Sequence, residues 1–153
     1  MEIEAEIKTT VPLNLAKKVL LNISFTKNVL SDTFQEITKT YDLSAEQYNV
    51  LRILRGQKGK PANMCVIQER MISKNSNTTR LIDKLLIKKM VTRQECPENR
   101  RKIEILITKT GLKVLEKLDP IIIQHENKFA ENLTQKELES LNNLLEKYRT
   151  IKQ

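Results

Sequence analysis

The sequence predicts a mainly α-helical protein that carries one small β-hairpin. The chain has 153 residues with only 3 Gly and 4 Pro, a composition that favours long helices over a loop-rich fold. Apolar residues recur at steps of three and four over most of the chain, whereas they alternate with polar ones over one short stretch near residue 105. A chain of this length is most simply one domain, or one compact unit with helical extensions.

The N-terminal third is predicted to form one long amphipathic helix, or two helices that meet at a bend near Ser24. Between Leu13 and Tyr41 the apolar residues are spaced by three, four and seven positions, which places them on one helical face. Pro12 suits the first turn of such a helix, because a backbone N–H is not needed there.

Three shorter helices follow, and the last two predict a helix-turn-helix. Ser44 and Gln47 form a capping box that opens the first of them. The second starts near Asn63, and the third runs through "NTTRLIDKLLIKK" after the polar turn "SKNS". The start of the third helix is rich in Ser, Asn and Thr, which hydrogen-bond well but are poor helix-interior residues. A plain αα-hairpin is the alternative to a DNA-binding helix-turn-helix.

A β-hairpin is predicted directly after the third helix. Ile103, Ile105 and Ile107 alternate with polar or outward positions, and residues 91–95 supply the antiparallel partner. A hairpin in this position is the wing of a winged helix-turn-helix. Its tip carries Arg100 and Arg101 where a tight turn usually has Asn-Gly or Asp-Gly, which indicates an anionic partner outside the chain.

The C-terminal third is predicted to form two further helices, the second opened by a capping box at Thr134 and Glu137. Pro120 is expected to kink the first of them. Because the winged core cannot cover all the terminal apolar faces, we expect a homodimer, whose two recognition helices would lie about 34 Å apart, one DNA turn. The predicted fold is therefore a winged helix-turn-helix core, residues 44–108, with an N-terminal dimerisation helix region, 1–43, and C-terminal dimerisation helices, 109–153.

The charge distribution favours a nucleic-acid partner. The chain has a net charge of +8, and residues 74–102 carry nine Lys or Arg against three acidic residues, which is +6 of that total. An evenly spread excess would indicate only a charged, solvated surface, whereas clustering is typical of a nucleic-acid-binding face.

Several other classes of function find no support in the residues. No segment approaches the ~20 apolar residues of a membrane-spanning helix, and the N-terminus lacks a signal-peptide pattern. The two cysteines, Cys65 and Cys96, are too few for a disulfide scaffold, so we expect a cytoplasmic protein with reduced thiols. His125 is the only histidine and lies on an apolar seam, so neither a metal site nor a cofactor is expected. No catalytic motif indicates an enzyme.

The order of these elements resembles that of the MarR (multiple antibiotic resistance regulator) family. The resemblance is carried by "LSAEQYNVLRIL", "NTTRLIDKLLIKKMVTR" and "CPENRRKIEILITKTG", the last including Thr108-x-x-Gly111, and extends from about residue 13 to residue 148. It implies a homodimeric regulator, often a repressor, that binds a pseudo-palindromic operator in double-stranded DNA, with the recognition helix in the major groove and a wing arginine in the minor groove. The DNA contacts it implies are Ser76, Asn77, Thr79, Arg80, Lys84, Arg100 and Arg101, and the polar, basic start of the predicted third helix adds Lys74 and Asn75.

The sequence departs from the family pattern at two wing positions. Asn99 stands where the family commonly has an Asp that holds the wing arginine by a salt bridge. Met90 stands where the family often has a Gly before the first wing strand. The first departure affects the orientation of Arg100, and the second affects the geometry of the turn.

The resemblance also implies a pocket for a small-molecule effector, often an aromatic acid. Residues that could line it, or could equally be core or interface, are Ile23, Lys27, Leu30, Tyr41 and Tyr48. Two alternatives remain: a regulator that senses oxidants through Cys65 or Cys96, and a non-specific architectural nucleic-acid-binding protein. Family members that sense peroxide carry the reactive cysteine in the N-terminal helix, where this chain has none, so both thiols are expected to be bystanders.

Overall fold

The computed structural model describes residues 2–96 and 99–150, apart from the side chains of Arg100 and Arg101. It confirms a mainly α-helical fold with a small antiparallel sheet. In chain order the elements are α1 (Ile3–Glu6), α2 (Leu15–Lys39), α3 (Ala45–Arg55), β1 (Ala62–Asn63), α4 (Met64–Arg70), α5 (Thr78–Ile87), β2 (Val91–Cys96), β3 (Asn99–Ile107), α6 (Lys109–Ala130) and α7 (Gln135–Tyr148).

The chain divides between Ala45 and Glu46 into two compact units. The first contains α1 and α2, and α2 is a single helix without an interruption at Ser24. Its N-cap is Asn14, whose side-chain oxygen accepts a hydrogen bond from the backbone N–H of Lys17 at 2.9 Å. The prediction that Pro12 lies in the first helical turn is therefore wrong, because an Asn side chain can cap a helix start and fixes it two residues later. Helix α1 was not predicted from the sequence.

The second unit contains a hydrophobic core built from every helix between α3 and α6. Leu51 and Leu54 of α3 are almost completely buried, as are Ile67 of α4 and Leu115 of α6. Burying a side chain of this size stabilises the fold by about 1.5–3 kcal/mol relative to leaving it exposed. The core of this unit therefore takes apolar residues from all four helices, including Leu115, Leu118 and Ile122 of α6.

The sheet has the order β1-β3-β2, with both pairings antiparallel. Ile105 lies in the central strand, is fully buried, and is flanked by Ala62 of β1 and Arg93 of β2. The hairpin of β2 and β3 confirms the predicted wing. Strand β1, which has only two residues, was not predicted, because periodicity carries no signal at that length.

Both helices predicted for the C-terminal third are present as α6 and α7. Helix α6 continues through Pro120, and α7 opens with the predicted capping box, in which Thr134 and Glu137 exchange hydrogen bonds. His125 packs edge-on against Phe129 with ring centroids 5.2 Å apart, which agrees with its predicted position on an apolar seam. Within residues 2–96 and 99–150, no helix combines the length and apolarity that crossing a bilayer requires.

Candidate nucleic-acid interface

Helix α5 has one face in the core and one face in solvent. Its inward side is formed by Thr78, Ile82 and Leu85, all of which are buried. The outward side, which we call the outward face of α5, is formed by exposed residues at helical spacing: Thr79, Arg80, Asp83, Lys84 and Ile87. Three of the sequence-predicted DNA contacts, Thr79, Arg80 and Lys84, therefore lie together on one accessible helical surface.

The start of α5 is fixed by local hydrogen bonds. Asn77 is the N-cap, and its side-chain oxygen accepts from the backbone N–H of Arg80 at 3.0 Å. Such a cap contributes about 1 kcal/mol to helix stability. The cap fixes the orientation of the Asn77 amide, which leaves its nitrogen as a donor available to a DNA contact.

The turn between α4 and α5 is held by Gln68. This side chain donates to the backbone carbonyl of Lys74 at 2.7 Å and accepts from the hydroxyl of Thr78, so it ties both ends of the turn to α4. The ammonium group of Lys74 also donates back to the carbonyl of Glu69. Lys74, Asn75 and Ser76 consequently lie in an ordered turn at the N-terminal end of α5, as a helix-turn-helix requires.

An open hollow of about 580 Å³ lies between α4 and the start of α5. Most of the residues that line it are polar, and they include the predicted contacts Ser76, Asn77 and Thr79. The free thiol of Cys65, which is exposed, also lies there. The hollow therefore places the Cys65 thiol beside three of the predicted DNA contacts.

The base of the wing is fastened to the ends of α5 and α6 by Thr108. Its backbone N–H donates to the carbonyl of Met90 at 3.0 Å, and its hydroxyl donates to the carbonyl of Lys89 at 2.8 Å. The same hydroxyl caps α6 by accepting from the N–H of Gly111 at 3.1 Å. A Cβ atom on Gly111 would lie 2.5 Å from the Met90 carbonyl oxygen, which explains why the Thr108-x-x-Gly111 motif needs a glycine.

The middle of the wing is linked to α5 by an ion pair that was not predicted from the sequence. The Arg93 guanidinium of β2 lies 4.0 Å from the Asp83 carboxylate of α5, and both side chains are about half exposed. An exposed pair of this kind contributes at most about 1 kcal/mol. The ion pair matters more for orientation than for stability, because it holds the Arg93 guanidinium beside the outward face of α5.

The tip of the wing departs from a regular hairpin. Pairing is continuous from Val91 with Ile107 to Glu95 with Ile103, and then shifts so that Cys96 faces Asn99. Residues 100–102 therefore fall between two paired rows, in a bulge. Arg100 and Arg101 belong to this segment of β3, but their side chains lie outside the described part of the structure.

The turn from α5 into the wing shows how the chain manages without the glycine that the family often has. Lys89 adopts the left-handed conformation, with φ of +56°, and Met90 follows it with its side chain buried. The N–H groups of Lys89 and Met90 donate to the carbonyls of Leu86 and Leu85, which is a Schellman cap. The residue in the left-handed conformation is thus Lys89, and position 90 does not require a glycine.

A second group of charges links α3 to α6. Arg55 makes two hydrogen bonds to the Asp119 carboxylate, at 2.6 and 3.0 Å, and this contact raises the pKa of Arg55 above its ordinary value. The Arg52 guanidinium lies 6.0 Å from the centroid of the Tyr48 ring. Burial raises the pKa of Tyr48, so its phenol stays neutral near pH 7.

The residues predicted for an effector pocket do not all belong to one unit. Ile23, Lys27 and Leu30 lie on α2 and Tyr41 follows that helix, whereas Tyr48 is a buried residue of α3. The effector pocket stays a prediction. Among the residues that the structure describes, no cluster of His, Cys, Asp and Glu could hold a metal ion.

Comparison with known proteins identifies the family. The family model for the MarR family matches residues 43–103, which include α3, the helix-turn-helix and most of the wing. No curated protein matches. A MarR transcription factor from Planctomyces limnophilus is 32% identical in sequence, with 89% of this chain and 98% of that chain covered and a TM-score of 0.69.

Two more distant structures share the fold. Bordetella bronchiseptica BpsR, whose DNA binding is regulated by 6-hydroxynicotinic acid, is 20% identical with a TM-score of 0.79, over 93% of this chain and 100% of that one. A mutant of MarR from E. coli, complexed with operator DNA, is 20% identical with a TM-score of 0.77, over 90% and 100%. With the Planctomyces relative matched almost end to end, and with a helix-turn-helix and wing built as described above, the chain belongs to the MarR family of transcription regulators.

Proposed function

We propose that the protein is a homodimeric, cytoplasmic repressor that binds a pseudo-palindromic operator and is released from it by a small-molecule effector. The outward face of α5 carries this proposal, because it presents Thr79, Arg80 and Lys84 to solvent at one helical spacing. Arginine and lysine contact guanine and phosphate, while threonine hydroxyls hydrogen-bond to base edges. An α-helix is about 10–12 Å across with its side chains, so it fits the major groove, which is about 12 Å wide.

The surrounding charges support binding to a polyanion. Exposed cations of the basic segment include Lys74 in the turn, Lys89 after α5, and Arg93 and Lys102 on the wing. Each cation that neutralises a phosphate releases a counterion and strengthens binding at low salt. The E. coli MarR mutant complexed with operator DNA has the same fold, which supports the use of this surface.

DNA binding can be tested by selecting a sequence from a random duplex pool with the protein and measuring its affinity against a scrambled duplex. We expect the selected site to bind roughly 10³-fold or more tightly. Arg80→Ala and Lys84→Ala should weaken binding, and each should reduce the slope of log K against log salt by about 0.9 if its side chain neutralises one phosphate.

The control for this test is Lys136→Ala, which removes one exposed charge from α7 and should leave both affinity and slope unchanged. Equal affinity for selected and scrambled duplexes would contradict the regulator and favour a non-specific architectural protein.

The dimer is supported by exposed apolar residues on the terminal helices. On α7, Leu141, Leu144 and Tyr148 are each between 44% and 63% exposed, and on α2 the value for Leu15 is 76%. Exposed apolar rows of this kind are typical of surfaces that a second chain covers. We propose residues 1–43 and 109–153 as the dimerisation regions, flanking the DNA-binding core of residues 44–108.

Light scattering coupled to gel filtration tests the dimer. The protein should elute with twice its chain mass of 17.8 kDa, and Leu141→Lys should shift it towards the monomer. Asn143→Lys introduces the same charge on the opposite side of α7 and should leave the dimer intact. A monomeric wild-type protein would contradict the proposal.

Effector control is supported by the likeness to BpsR, whose DNA binding is regulated by 6-hydroxynicotinic acid. We propose a small aromatic acid as the effector class, with Ile23, Lys27, Leu30, Tyr41 and Tyr48 as candidate contacts. Titrating salicylate or 6-hydroxynicotinic acid into the protein–operator complex should release DNA, and Lys27→Ala should raise the concentration required. Unchanged binding across a panel of aromatic acids would contradict this part of the proposal.

A second candidate is control of the same DNA binding by a thiol. The observation that favours it is the exposed Cys65 in the hollow beside Asn77 and Thr79, where an oxidised sulfur would lie against the proposed DNA surface. Peroxide should then abolish operator binding, and Cys65→Ser should prevent the loss. Binding that survives peroxide in the wild type would eliminate this candidate.

A further inference from the structure

The last residue of α5, Ile87, is one of the two most exposed large apolar side chains among the described residues. Its side chain is 81% exposed, although the same helix buries Ile82 and Leu85 almost completely. It belongs to the outward face of α5, where the other four members are polar or charged. The core does not use this isoleucine, and helix propensity does not explain it, because Lys or Glu would favour the helix more than a β-branched residue does.

The position of Ile87 relates it directly to the proposed DNA contacts. It follows Arg80 by seven residues and Thr79 by eight, which places it on the same line of the helix two turns further on. At 1.5 Å per residue the separation from Arg80 along the axis is about 10 Å. That distance is similar to the ~12 Å width of the major groove and to three base-pair steps.

The chemistry of the major groove offers one apolar partner for such a side chain. Apart from the small C5–H of cytosine, the other groups that the base edges display there are hydrogen-bond donors or acceptors, whereas thymine presents its C5-methyl group. The basic surroundings attract the phosphate backbone on both sides of the groove. With α5 in the groove, Ile87 would face the base edges, with Lys84 and the basic residues that follow α5 on either side of it in the sequence.

We propose that Ile87 is a specificity-determining residue that packs against the C5-methyl group of a thymine in each operator half-site. This inference rests on the proposed function, because it needs α5 to enter the major groove. It extends that function by assigning an A·T base pair to one fixed position in each half-site. This position is the one that the C-terminal end of α5 reaches.

The test uses an operator selected from a random duplex pool by the full-length protein. Each thymine of one half-site, and its symmetric counterpart, is replaced by deoxyuridine, which removes the methyl group and keeps every hydrogen bond. For the wild type, one position should lose about fourfold in affinity per half-site, the effect of one methyl group removed from water. Ile87→Ala should bind the unmodified operator more weakly and should lose its sensitivity to uracil at that position only.

Ile72 provides a matched control, since it is also 81% exposed but lies in the turn before α5. Ile72→Ala should keep the full uracil effect. The inference is overturned if uracil is neutral at every position for the wild type, if Ile87→Ala stays as sensitive as the wild type, or if the sensitivity disappears in Ile72→Ala instead. A pool that yields no preferred sequence would instead contradict the proposed function itself.

Discussion

The contact between Gly111 and the base of the wing leads to a quantitative prediction for Gly111→Ala. A Cβ atom at this position would lie 2.5 Å from the Met90 carbonyl oxygen and 2.8 Å from Cγ1 of Ile107. Both distances are below the 3.0 Å that real Cβ contacts respect, so the start of α6 and the base of the wing have to separate. The carbonyl is backbone, so no side-chain rotation can relieve the contact.

The expected magnitude follows from two opposing effects. Replacing Gly by Ala inside a helix ordinarily stabilises it by about 1 kcal/mol. Here the overpacking costs about 1–3 kcal/mol. Moving the Met90 carbonyl also strains its 3.0 Å hydrogen bond from the Thr108 N–H, a bond that contributes about 1 kcal/mol. Because the gain in helix propensity and the loss of the hydrogen bond offset each other, we expect Gly111→Ala to lower the free energy of unfolding by about 1–3 kcal/mol.

Urea unfolding followed by circular dichroism, at one fixed protein concentration, measures this change. Thr110→Ala is the matched control, because Thr110 is exposed in the same helical turn and its replacement should have little effect. If Gly111→Ala proved as stable as the wild type, the close approach of α6 to the wing would be wrong, and with it our explanation of the Thr108-x-x-Gly111 motif.

Three further predictions concern single contacts. Lys89→Gly should raise the free energy of unfolding by about 1 kcal/mol, because Lys89 holds φ of +56°; a lower urea midpoint would contradict this. A double-mutant cycle on Arg55 and Asp119, which are each about one-third exposed, should give a coupling of about 0.5–1 kcal/mol, and zero coupling would refute it. Hydrogen bonds from the backbone and then the hydroxyl of Thr134 hold the pKa of Glu137 below its ordinary value. The stability that the Glu137 carboxylate contributes is therefore complete above about pH 5 and is lost as the pH falls through the lowered pKa. Thr134→Ala should therefore reduce α7 helicity near pH 7 and have a smaller effect in acid, and an equal effect at both would contradict the capping box.

The sequence predicted the elements whose signals are local and repeated. Helix α2 and strand β3 were predicted correctly, because a repeated pattern constrains several residues at once. The patterns are the helical spacing between Leu13 and Tyr41 and the alternation of Ile103, Ile105 and Ile107. The start of α2 was misplaced at Pro12, because a proline and the Asn14 cap both signal a helix start and only the cap makes a hydrogen bond. Strand β1 was not predicted, because its two residues form a strand only by pairing with Ile105 and Glu104, which are distant in the sequence.

The candidate site was predicted in part, for a similar reason. The cations of α5 and the turn could be named, since charge and residue type are visible in the sequence. The pairing of Asp83 with Arg93 could not be predicted, because the two residues are ten positions apart and lie in a helix and a strand. The exposure of Ile87 could not be predicted either. The apolar face of the helix is formed by Leu81, Ile82, Leu85 and Leu86, and Ile87 lies just beyond it in the sequence.

The contacts around α5 indicate how the wing could keep a fixed orientation relative to the recognition helix. At the wing base, Thr108 is hydrogen-bonded to the backbone of Lys89 and Met90, immediately after α5 ends. Farther along β2, Arg93 is paired with Asp83 in the middle of α5. The Thr108 hydrogen bonds fix the base of the hairpin, and the exposed ion pair favours its orientation towards α5 by at most about 1 kcal/mol. In the proposed regulator, a shift of α5 would therefore carry the base of the wing with it, because Thr108 is bonded to the residues that end this helix.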